Sequence, residues 1–81
     1  MEERLVKETE KLIEKLESVE FRPVSEKGEW MVKNLRAYLS DSKHFLKSDP
    51  VLAFEAVVWA WAFLEIGAEL GLISLYSNRG K

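Results

Sequence analysis

The chain has 81 residues, 12 Lys and Arg against 14 Asp and Glu, and no cysteine. That length holds one small domain near the lower limit of independent stability, and the missing thiols exclude disulfides, thiolate metal sites and cysteine nucleophiles. A formal net charge of -2 selects neither nucleic acid nor an acidic membrane as a partner. The N-terminus, MEERLVKETE, has no apolar signal region. A small domain without staples commonly gains stability by oligomerising.

The first helix is expected over residues 2–20. Leu5, Thr9, Leu12, Leu16 and Val19 repeat at spacings of four and three, with Val6 and Ile13 widening the stripe. Glu3, Lys7, Glu8, Lys11, Glu14 and Lys15 occupy the opposite, solvated face. Residues 21–28 (FRPVSEKG) form a break, because Pro23 lacks an amide donor and moves Arg22 out of helical geometry. Ser25 is a candidate cap for the second helix, although Gly28 blurs its start.

That second helix is expected over residues 29–47. Met31, Leu35, Tyr38, Ser42 and Phe45 mark its seam, and the small Ser42 allows another helix to approach closely. Lys33, Arg36, Lys43 and Lys47 share another narrow arc, a basic stripe able to follow a phosphate backbone. No aromatic side chain interleaves with it. Arginine apart, it contains nothing that would stack on a base.

Asp49 and Pro50 are a favoured N-cap and first residue, so a third helix begins there and runs to about residue 71. The tight link makes the second and third helices an antiparallel hairpin. Gly71 is the natural stop, and residues 74–81 are expected to be a flexible tail. Residues 1–73 are therefore expected to fold as one all-α, up-down-up three-helix bundle. No alternating pattern suggests a strand.

The third helix is apolar almost all round. At about 100° per residue, Ala53, Ala56, Ala60, Gly67 and Gly71 form a small-residue seam. Phe54, Val57, Trp61, Leu64 and Ala68 form a face assigned to the core. Leu52, Trp59, Phe63, Ile66 and Leu70 fall on another side, which one three-helix core does not easily cover as well. The expected interaction surface is Trp59, Phe63, Ile66 and Leu70, extended by Trp30 of the second helix. The stretch is long enough to span a bilayer. Glu55, Glu65 and Glu69 argue against that placement, at about 2.5–3.5 kcal/mol for each carboxylate in mid-membrane.

Glu65 and Glu69 lie one turn apart, a spacing that can serve a metal, but His44 belongs near Glu55, away from them. The glutamates are therefore expected to form surface ion pairs. Ser40, Asp41, Ser42 and His44 are too close in sequence to converge from one helix as a triad. There is no Gly-rich phosphate loop and no nucleophile elbow. No catalytic residue, cofactor or metal is expected.

From Tyr38 onward the run YLSDSKHFLKSDPVLAFEAVVWAWAFLEIGAELGL resembles the archaeal domain-of-unknown-function family numbered 357. A Tyr-x-x-Asp helix leads into an Ala-Phe-Glu-Ala helix, followed by aromatic-Ala-Trp, Leu, an acidic residue and Gly. These positions are Tyr38, Asp41, Ala53, Phe54, Glu55, Ala56, Trp59, Ala60, Trp61, Leu64, Glu65 and Gly67. Ala62 and Phe63 stand where Gly and Trp are usual, and Glu65 where Asp is expected. The resemblance covers about the C-terminal half and implies a compact three-helix fold, an archaeal cytoplasmic source and no assigned activity. A looser similarity to helical nucleotide-binding domains of toxin–antitoxin systems carries no nuclease activity over. Arg36 and His44 lie farther apart than that motif requires, and on the second helix.

Taken together, these features point to a non-enzymatic helical interaction module. Its expected partner is a second copy, as a dimer, or another protein, met through the apolar third helix in the cytoplasm. The alternative is an RNA- or nucleotide-associated accessory domain using the basic stripe.

Overall fold

The structure is a computed structural model that describes residues 2–76. Three helices and two short strands follow in the order α1 (Glu2–Ser18), β1 (Glu20–Pro23), α2 (Glu26–Phe45), α3 (Pro50–Glu69) and β2 (Ile73–Tyr76). The fold is thus mainly helical, with a small two-stranded sheet that the hydrophobic periodicity does not anticipate.

α1 ends at Ser18, where the Ser18 hydroxyl donates to the Lys15 carbonyl and the Val19 amide to that of Leu16. α2 starts three residues earlier than expected. Ser25 is its N-cap in extended geometry, and its hydroxyl accepts the Gly28 amide at 3.1 Å. α3 is capped by Asp49, whose carboxylate accepts the Leu52 amide, and Pro50 opens its first turn. It closes on Gly71 at φ +76, with Leu72 N–H donating to Gly67 and Gly71 N–H to Ala68. This paired closure satisfies carbonyls that the last turn would otherwise leave open.

α3 is the central element. It packs most extensively on α2 and next on α1, whereas α1 and α2 meet only slightly. The contacts between α2 and α3 run in opposite order along the two helices. Ser42 reaches Ala53, Tyr38 reaches Trp59, and Trp30 reaches Phe63. Ser42 is fully buried and donates to the Ala53 carbonyl at 2.7 Å, so its small size and its hydroxyl both serve the close approach. The core joins Ile13 and Leu16 of α1, Met31, Val32 and Leu35 of α2, and Val57, Ala60 and Leu64 of α3, with Ile73 closing one end. Phe54 and Trp61 are only half-buried; the Trp61 indole instead reaches the Leu12 carbonyl at 3.1 Å.

The strands correct the expectation of a flexible tail for residues 74–76. Ile73–Tyr76 pairs antiparallel with Glu20–Pro23, with Phe21 opposite Leu75 and Pro23 opposite Ile73. Pro23 sits at the end of β1, where its missing donor costs least. Residues 77–81 of the expected tail lie outside the described residues. The Ile73 side chain fills the space a Cβ on Gly67 would need, and the Leu72 backbone lies over Gly28. Both glycines therefore permit close packing at the sheet end of the molecule.

Candidate functional site

Core-forming requirements divide α3 into two unequal sides. Ala53, Ala56, Val57, Ala60, Leu64 and Gly67 are buried. Val51, Leu52, Glu55, Val58, Trp59, Glu65, Ile66, Glu69 and Leu70 are exposed. Of the expected small-residue seam, only Gly71 is exposed, because it serves as the helix stop.

Four of the five residues expected on the interaction surface remain open. Trp30 is 56% exposed, Trp59 57%, Ile66 52% and Leu70 64%. Phe63 is half-buried because two rings of α2 flank it. Trp30 meets it edge-on with centroids 5.9 Å apart, and Tyr38 stacks on it at 5.8 Å. Tyr38 also stacks with Trp59 at 6.2 Å. A continuous row of four aromatic side chains thus crosses from α2 to α3. Such contacts stabilise by about 0.5–1.5 kcal/mol each beyond the area they bury, and they stiffen the row. Spacing alone places Tyr38 in the seam of the second helix. Its place in the row depends on the register between the helices, which the hairpin link constrains.

Helix α3 is long and apolar enough to cross a membrane by length and composition, yet only 33% of its most apolar window is buried within the fold. Intramolecular packing thus covers one side of the helix and leaves Val51, Leu52, Val58, Trp59 and Ile66 exposed.

The three glutamates of α3 do not form the expected ion pairs. Among the described residues none of Glu55, Glu65 and Glu69 has an ion-pair partner. The reason is rotational: all three point away from the buried side, while the lysines of α2 lie on that helix's own outer arc. No group of three metal-ligating side chains occurs among the described residues. His44 packs edge-on against Phe45, with centroids 4.7 Å apart.

The basic stripe is partly engaged within the chain. Lys43 pairs with Glu17 of α1 at 2.6 Å. The Arg36 guanidinium lies over the Phe21 ring at 5.3 Å, in a cleft that also holds Glu17 and Glu20. Lys47 borders a recess shared with Glu2, Glu3 and Glu10. Lys33 is exposed. Acidic side chains of α1 thus accompany most of the stripe and lower its positive potential.

No functionally curated protein matches the chain. Among solved structures, the chain is similar to the crystal structure of an Archaeoglobus fulgidus protein carrying the same family model. The two share 45% identity with a TM-score of 0.77, over 93% of this chain and 97% of the other. The family described as "Protein of unknown function (DUF357)" matches residues 4–73. That match spans most of the chain, and the chain belongs to this family.

Proposed function

We propose that the protein is a non-enzymatic helical interaction module that works through the outer face of α3 and the aromatic row beside it. One observation carries this reading: Trp30, Trp59, Ile66 and Leu70 stay more than half exposed on one side of the α2–α3 pair. Monomers rarely leave a contiguous apolar patch beyond a few hundred Å² in water. A second copy is the nearest source of matching apolar surface, and the small size of the domain favours such association. Lipid is a poor occupant, since Glu55, Glu65 and Glu69 recur along the whole helix, and we place the protein in the cytoplasm. We also read the helices as running up-down-up. Glu2 and Val6 of α1 border the same recess as Pro50, and Leu12 reaches Trp61, so α1 follows the direction of α3.

Sedimentation velocity across a wide concentration range tests the reading. The weight-average mass is expected to rise toward that of a dimer with concentration. Trp59→Glu and Ile66→Glu, both at exposed positions, are expected to hold the mass at the monomer value with unchanged helical circular dichroism. A wild-type chain that stays monomeric up to near-millimolar concentration overturns self-association.

A further inference from the structure

The charge pattern on the outer face discriminates between occupants, and this inference rests on the reading of that face as a docking surface. From Pro50 to Glu69, α3 contains no Lys, Arg or His. Its three carboxylates are all exposed and none has an ion-pair partner among the described residues. Around α3, Glu55 lies about 40° from Trp59 and Glu69 about 60° from Ile66, so both border the apolar residues, whereas Glu65 lies about 100° from Ile66. On α2, the exposed Asp41 lies within about 20° of Trp30 around the helix and adds a further negative charge. The face is therefore apolar, aromatic and acidic, with no cation of its own on α3.

A second copy satisfies the apolar part of this face and not the charged part. When the face meets itself, each set of carboxylates enters the same contact as its duplicate, and like charges brought together disfavour the complex. Lys43 is already paired with Glu17, and the exposed Lys27 and Lys33, each one turn from Trp30, leave two cations of α2 against four carboxylates. The like charges therefore confine the proposed self-association to high protein concentration.

We propose that the preferred occupant is a helix of another protein, apolar along one side and flanked there by Lys or Arg. An amphipathic helix laid on a hydrophobic face is a common recognition mode. Glu55, Glu65, Glu69 and Asp41 receive its cations, and the open rings of Trp30 and Trp59 offer them further faces. A membrane surface is disfavoured by the same carboxylates, because cytoplasmic leaflets are themselves negative.

The test uses three labelled helical peptides of equal length and the same Leu stripe, flanked by Lys, Gln or Glu. Binding to the full chain is followed by fluorescence anisotropy. The Lys peptide is expected to bind about tenfold or more tighter than the Gln peptide, with the gap shrinking as salt is raised, and the Glu peptide weakest. The triple variant Glu55→Gln, Glu65→Gln, Glu69→Gln is expected to lose that advantage. A control triple on the exposed face of α1, Glu3→Gln, Glu8→Gln, Glu14→Gln, is expected to keep it. Equal affinity for the Lys and Gln peptides overturns the charge assignment while leaving the docking surface intact. Equal losses in both triple variants reduce the effect to bulk attraction and overturn it too. If no peptide binds, the proposal falls, and the sedimentation behaviour of Trp59→Glu then decides separately whether the face docks anything.

Discussion

Gly28 and Gly67 do similar work with different tolerance. At Gly28 an added Cβ overlaps the Leu72 carbonyl oxygen, which also accepts the Val24 amide at 2.9 Å. Backbone held at both ends has little room to yield. At Gly67 the obstacle is the side chain of Ile73, which can turn aside in part. Gly28→Ala is therefore expected to cost about 2–4 kcal/mol and Gly67→Ala about 1–2 kcal/mol. Urea unfolding of the two variants checks the order; a reversed order contradicts this account. In the sequence, Gly28 registers only as an uncertainty about where α2 begins. The neighbour that requires it comes from the far end of the chain, and no local pattern points there. Trp59, Ile66 and Leu70, in contrast, separate from the core residues on the helical wheel, because one helix's periodicity suffices to sort them.

At the scale of elements, the helices are held by legible signals. Ser25 and Asp49 each accept an amide from the first turn of the helix they precede. Replacing either by Ala is expected to cost about 1 kcal/mol, within a range of about 0.5–2 kcal/mol. Thermal melts of Ser25→Ala and Asp49→Ala provide the measurement; a change indistinguishable from zero in both excludes a stabilising role for the caps. The strands carry no comparable signal. Glu20–Pro23 is too short to display alternation and contains a proline, and Ile73–Tyr76 follows a helix stop as a terminal segment would. Each becomes a strand only through the other. The ion pairing expected of Glu55, Glu65 and Glu69 fails for a related reason. Level along an antiparallel hairpin follows from the length of the link, whereas rotation about each helix axis also decides whether two side chains meet.

For the molecule as a whole, the unequal packing of the three helices matters most. α1 covers α3 on one side and hardly touches α2. The α2–α3 pair therefore keeps a broad side free, and the aromatic row lies across it. A helix apolar all round announces in the sequence that something must cover it. How much the chain covers by itself depends on where α1 docks, and that is a property of the assembled fold. The acidic character of the open side is present in the sequence as three glutamates without a nearby cation, but their lack of partners emerges only once α2 is in place.

The pairing of β1 with β2 also bears on the order in which the chain assembles. The α2–α3 hairpin joins segments separated by a tight link, so its contacts close a short loop. The sheet joins Glu20 to Tyr76 across both of those helices, a much longer closure with a larger entropic cost. The hairpin is expected to be largely formed in the folding transition state, and the sheet to form after it. Ser42→Ala, which removes the hydroxyl bonded to Ala53, should then chiefly slow folding. Ile73→Ala, which empties the space beside Gly67, should chiefly speed unfolding. Stopped-flow folding and unfolding rates of the two variants distinguish this order from one in which the chain ends meet first. By the same reasoning the sheet is the first part to open in the folded protein, and its amides should exchange with solvent sooner than those in the middle of α3.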